Sequence, residues 1–245
     1  MADTNVEGSG RRVSHKIAIV TGAASPVGKA CVALFANEGA TVIATDHKPG
    51  DASIAQHDAS SEKDWQRVIA ETLAAHGRID ILIQTAQEFF LKPFLEMSLE
   101  DLRGVCRSNV ESAWLGIKHT IPAMRKTGGG AIVNVSSVLG NVALADAAAY
   151  CSAASGVRIM TKSAALECAA AEDNIYVNSV QAGAVDWALR AGSAGGAAAA
   201  KGSALMGHPA VEPVDVAAAA LFLATPDSKY TTGMDLIIDG GHAAG

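Results

Sequence analysis

No apolar stretch of this 245-residue chain can cross a bilayer: runs such as Ala217–Ala224 fall well short of the ~20 residues a spanning helix needs. Basic excess is missing too. The formal net charge of −6 leaves no broad nucleic-acid footprint, so neither nucleic acid nor membrane is expected as a partner. The four cysteines (Cys31, Cys106, Cys151, Cys168) form no C-x-x-C pair and have no histidine at metal spacing; the seven histidines include no H-E-x-x-H. Reduced, mostly buried thiols and no catalytic metal are expected. Met1–His15 is polar and glycine-rich without an apolar signal core, so 1–14 reads as a flexible tail and the protein as cytoplasmic. The remainder, 15–245, has the length and apolar content of one α/β domain with a single large core.

Apolar, β-branched runs alternate with helical patterns along the chain. Strands are expected at Lys16–Thr21, Thr41–Thr45, Ser53–His57, Asp80–Gln84, Ala131–Val135, Ile175–Val180 and Asp235–Ile238. Helices are expected at Pro26–Glu38, Ser61–His76, Ser98–Lys126, Ala147–Ala171 and Val214–Ala224. The Ser98-Leu99-Glu100-Asp101 box starts the third helix and the Gly128-Gly129-Gly130 run ends it. Near-continuous apolar strands alternating with helices predict a doubly wound parallel sheet of about seven strands, covered on both faces. Residues 188–210 are almost entirely Ala, Gly and Ser and follow a strand at its ligand-binding end. They read as a substrate lid or as a poorly packed insertion.

The first strand runs into Thr21-Gly22-Ala23-Ala24-Ser25-Pro26-Val27-Gly28. Gly22 permits a tight turn, and the helix that follows aims its N–H groups and positive dipole end at a phosphate. Ser25 suits the N-cap, Pro26 the first helical position, and Gly28 allows close packing on the sheet. Asp46 ends the second strand, where a carboxylate accepts from adenosine hydroxyls and repels a 2′-phosphate, which favours NAD over NADP. A loop-capping role is the plainer reading of the same aspartate.

The order of these motifs, with Gly130-Ala131-Ile132-Val133-Asn134-Val135-Ser136-Ser137, Tyr150-Cys151-Ser152-Ala153-Ala154 and Thr232-Gly233-Met234-Asp235-Leu236-Ile237-Ile238-Asp239-Gly240-Gly241, resembles the short-chain dehydrogenase/reductase family over about residues 15 to 242. The resemblance implies a single Rossmann-type domain and hydride transfer between a secondary alcohol or ketone and NAD. It implies that Ser137 orients the substrate oxygen, that Tyr150 moves the proton and that Asn109 acts as a structural and proton-relay residue. It implies cofactor contacts from Gly22, Ser25, Val27, Gly28, Asp46, Asp58, Ala59, Ala86, Tyr150, Gly183 and Val185, and a homotetramer or homodimer built on the two long helices. Phe89, Phe90, Leu139 and Met206 are expected to line an apolar substrate pocket.

Several positions depart from the family pattern. The lysine one turn after the tyrosine is Ala154. An unperturbed phenol has a pKa of about 10 and a neighbouring cation lowers an acid's pKa by about 1–3, so the chain lacks the charge that makes the tyrosine a base near neutrality. Arg158, two turns on, could lean back over Ala154 or stay solvated. The motif after the fourth strand is Gln84-Thr85-Ala86-Gln87 rather than N-N-A-G, which places the bulk of Gln87 beside the adenine-side ribose. Pro26 replaces a glycine, Ala182 a proline and Trp187 a threonine; Trp187 could stack at the pocket or simply pack. All lie around the cofactor. An NAD-linked oxidoreductase, impaired or compensated, is the first reading. A non-catalytic binding protein on the same fold and a non-redox enzyme using Ser137 and Tyr150 are its rivals.

Overall fold

The computed structural model describes residues 11–50, 52–184 and 211–244. Seven parallel strands form one sheet: β1 (Ile17–Thr21), β2 (Thr41–Asp46), β3 (Ala55–Gln56), β4 (Ile81–Gln84), β5 (Gly130–Ser137), β6 (Ile175–Ala182) and β7 (Asp235–Ile238). Their spatial order is β3-β2-β1-β4-β5-β6-β7. The connections reverse direction between β1 and β4, which opens a crevice at the carboxyl ends of those strands. The longest pairing runs from Gly130↔Ile175 to Ser137↔Ala182 and carries Ser137 to the rim of that crevice.

Helices cover both faces: α1 (Pro26–Asn37), α2 (Glu62–His76), α3 (Leu99–Cys106), α4 (Ser112–Lys126), α5 (Ala148–Ala170) and α6 (Pro213–Leu223). Neighbouring strand residues point to opposite faces, so the apolar runs feed two cores at once. Val20, Ile83, Val133 and Val180 pack with Phe35 and Leu221 on one side. Ile19, Leu82, Ile132 and Val177 pack with Trp65, Leu115 and Met124 on the other. Each fully buried aliphatic or aromatic side chain contributes about 1.5–3 kcal/mol.

The observed elements follow the expected ones, with three differences. The third strand shrinks from Ser53–His57 to Ala55–Gln56, because only two pairs with β2 form (Thr45↔Ala55, Asp46↔Gln56). The helix expected over Ser98–Lys126 starts on the Ser98/Asp101 capping box, but a π-helical turn at Arg107–Glu111 divides α3 from α4. The ordered domain begins earlier than His15: Val13 is buried and its N–H donates to the Glu38 carbonyl, while Arg12 pairs with Glu38 at 2.7 Å. Among the described residues no helix is long and apolar enough to cross a membrane.

Gly22 adopts a left-handed conformation (φ +67°), and a side chain there would collide with the Ala86 backbone nitrogen. Gly28 is closer still, since an added Cβ would penetrate the Gly22 carbonyl group. Gly28→Ala is therefore expected to destabilise the protein by about 1–3 kcal/mol, through overpacking against backbone that cannot rotate away. A lower urea midpoint at unchanged m-value would show it.

Candidate active site

The Gly22 turn delivers the chain to α1 as expected. Ser25 caps it, its hydroxyl accepting from the Gly28 N–H at 3.0 Å, and Pro26 takes the first helical position. The Val27 side chain turns into the core, so a ligand at this end meets only the backbone of the first turn. A cleft of about 600 Å³ opens here, walled by Gly22, Ser25, Asp46, Asp58, Ala59 and Ala86 among others. That volume lies in the usual range for cofactor sites.

Asp46 caps its loop, as the plainer reading had it, and faces the cleft. Its carboxylate accepts from the Ala24 N–H at 3.0 Å and the Lys48 N–H at 2.8 Å, which ties two loops together at the cleft wall. Each carboxylate oxygen keeps a further lone pair for a ligand hydroxyl. Asp58 is held by the Ser60 N–H (2.9 Å) and hydroxyl (2.7 Å). The Ala59 carbonyl accepts from the Trp65 indole at 2.8 Å. His57, unmarked in the sequence reading, lines the same wall. Its Nδ1 lies 2.9 Å from the Thr45 hydroxyl, while Nε2 is buried and has no hydrogen-bond partner. Burial pushes its pKa down to about 4, which keeps the ring neutral. The turn, the helix terminus, the cleft size and this orphaned nitrogen together fit a dinucleotide.

The candidate catalytic residues Ser137 and Tyr150 meet beyond the carboxyl end of β5. The Ser137 hydroxyl accepts from the Leu139 N–H at 3.2 Å, capping a short 3₁₀ turn. Tyr150 stands in the first turn of α5, buried to 5% exposure. Its phenol donates to Gln87 Oε1 at 3.0 Å, and its ring meets Phe89 edge-to-face at 4.9 Å. Burial pushes the phenol up to about 12, with a hydrogen bond from Ser137 opposing the rise. Phe90 packs against Val105, Ala149 and Ala153.

Two positions left open by the sequence find partners. Arg158 does not lean over Ala154; it pairs with Asp235 on β7 at 3.5 Å, beside Lys162 at 2.7 Å on the same carboxylate. No lysine or arginine among the described residues acts on the phenol. Gln87 lines the large cleft, and its side chain also reaches Tyr150. A cavity of about 10 Å³, room for about one water, remains beside Ala154, with Gln84, Gln87, Asn109, Ser112 and Ser136 in its wall.

Asn109 sits in the π turn, and its side chain clamps a backbone. It accepts from the Glu88 N–H at 2.7 Å and donates to the Glu88 carbonyl at 3.0 Å. The Ser112 hydroxyl donates to the Ser108 carbonyl at 2.6 Å, satisfying a group the π turn releases. Gln84 donates to the Ala113 carbonyl (3.1 Å) and Asn134 (2.8 Å), and Asn134 donates to Thr161 (2.8 Å). This buried chain joins β4, β5, α4 and α5 beneath the site. Gly183 packs on Asp239 and donates to the Ile238 carbonyl at 2.8 Å. Val185, Trp187, Met206 and the segment 188–210 lie outside the described residues.

Residues 22–243 match a family model described as enoyl-(acyl carrier protein) reductase. The chain is 34% identical over 248 residues to the 2,5-dichloro-2,5-cyclohexadiene-1,4-diol dehydrogenase of Sphingobium indicum, covering 96% of this chain and 98% of that protein. It is 34% identical over 250 residues to the cyclopentanol dehydrogenase of Comamonas testosteroni, covering 95% and 99%. The crystal structure of a protein described as a short-chain dehydrogenase/reductase, from Burkholderia xenovorans, matches with a TM-score of 0.88 at 30% identity, covering 97% of this chain and 99% of that one.

Proposed function

The chain belongs to the short-chain dehydrogenase/reductase family, and from that premise we propose that it interconverts a small alicyclic alcohol and its ketone, using NAD in preference to NADP. The observation that carries the reading is the convergence of Ser137 and Tyr150 at the carboxyl end of β5, on the same edge of the sheet as the Gly22–Gly28 turn after β1. The ring alcohols in the names of both relatives support the substrate class. Phe89, against the phenol, gives that class an apolar wall.

When bound, the nicotinamide supplies or takes the hydride. Ser137, whose oxygen already accepts from Leu139, turns its O–H toward the substrate oxygen. Tyr150 gives that oxygen its proton on reduction and removes it on oxidation. Gly22, Ser25 and Gly28 would hold the pyrophosphate, Asp46 the adenosine ribose, and Asp58 with Ala59 the adenine. Ala154 and the raised phenol favour a second reading, a protein that binds nicotinamide and turns over slowly or not at all. Trp114 and Leu166, exposed on α4 and α5, support pairing of copies through those helices.

Fluorescence titration is expected to give micromolar NADH binding, at least ~10-fold tighter than NADPH, because the Asp46 carboxylate opposes a 2′-phosphate. Asp46→Asn removes the charge and keeps one of the two oxygen acceptors that tie the loops, so the preference should fall below about threefold. Failure to bind either dinucleotide would sink the oxidoreductase reading. Equal affinities in the parent chain would sink the NAD preference alone.

A further inference from the structure

We propose that Gln87 is a positioning residue that holds the Tyr150 phenol in its neutral, proton-donating form, so that this site runs most readily as a carbonyl reductase. The proposal rests on the oxidoreductase reading above. Three observations carry it. The phenol donates to Gln87 Oε1 at 3.0 Å. The backbone beside Gln87 is fixed, because Asn109, buried in the π turn, binds both the N–H and the carbonyl of Glu88. Gln87 also borders both the large cleft and the small cavity at Ala154, so it stands between the phenol and the cofactor space.

The chemistry of a carboxamide sets the consequence. It accepts a hydrogen bond but carries no charge and takes no proton near neutrality. An acceptor on the phenol stabilises the neutral form and disfavours the phenolate. The lysine that Ala154 replaces would act in the opposite sense. On reduction, the hydride bonds to the carbonyl carbon, the carbonyl π pair takes the Tyr150 proton, and the nicotinamide is left oxidised. The resulting phenolate recovers its proton from water. Oxidation needs the phenolate at the outset, which the Gln87 contact opposes.

The test uses the full chain with tyrosine labelled with ¹³C at Cζ. The Tyr150 resonance is identified by its loss in Tyr150→Phe. In Gln87→Ala it is expected to move by well over a linewidth, and in Gln87→Glu to move the other way, because a carboxylate is the stronger acceptor. In parallel, kcat for alcohol oxidation is expected to rise about threefold in Gln87→Ala with the alcohol KM within about twofold, and to fall below the parent value in Gln87→Glu. A Tyr150 resonance unmoved by Gln87→Ala overturns the proposal, as does an unchanged kcat. A chain that shows both resonance shifts yet binds no nicotinamide overturns the oxidoreductase reading and the reductive role with it, while the hold on the phenol stands.

Discussion

Ala154→Lys combined with Gln87→Gly is expected to raise the rate of alcohol oxidation at pH 7 by about 10- to 1000-fold. The range follows from the usual effect of an adjacent cation on an acid. A phenol pKa lowered by about 1–3 multiplies the phenolate fraction by the same powers of ten while pH stays below it. Both changes are required. Ala154 is 3% exposed and the cavity beside it holds only about 10 Å³, far less than the four heavy atoms a lysine adds. Gln87 fills the remaining approach to the phenol. Ala154→Lys alone should therefore gain less than threefold and lose stability by overpacking, and Gln87→Gly alone should gain about threefold. Steady-state kinetics on the four chains measure the coupling, and additive logarithms would mean the two positions do not share one space.

Alcohol oxidation by the parent chain is expected to rise about tenfold per pH unit from pH 7 to pH 10, while ketone reduction stays nearly flat. The sign follows from burial, which pushes the Tyr150 phenol up to about 12. The base in oxidation is the phenolate, whose population grows tenfold for each unit of pH below that value. The acid in reduction is the phenol, which remains fully protonated across the same window. Profiles of kcat/KM in both directions test this. An oxidation profile that levels off near pH 7 would mean that another group lowers the phenol or replaces it. In the double variant the rising limb should move toward neutrality.

Local rules made much of this protein legible. Ser25 before Pro26 reads as a cap followed by a first helical residue, and both groups sit there because the requirement is confined to one turn. Alternating apolar runs fix the sheet for a similar reason, since each strand carries its own burial pattern. What escaped the sequence was set by long-range contact. Gln87 and Tyr150 lie 63 residues apart, and nothing in either neighbourhood shows that a side chain after β4 will meet a phenol on α5. Arg158 is similar: helix geometry allows a reach toward Ala154, but Asp235, 77 residues later, offers a half-buried carboxylate. The buried polar chain from Gln84 through Asn134 to Thr161 explains a departure that looked like loss, since glutamine there spans from β4 to the Ala113 carbonyl. A cluster of departures around one surface was visible; that Gln87 and Ala154 border one small cavity was not.

The π turn at Arg107–Glu111 has a wider effect than the carbonyls it releases. It inserts one residue beyond the α-helical count, and one residue is about 100° of rotation. The two halves of the helix from Leu99 to Lys126 are therefore out of phase, and a single helical wheel drawn through both assigns the wrong faces to one of them. That phase shift turns Gly116 toward the Gln84 side chain, where any Cβ would collide, while Asn109 stays free to clamp the loop behind Gln87. The extra residue thus acts as a gear tooth: it sets the angle at which α4 meets the sheet independently of the angle at which α3 meets the catalytic loop.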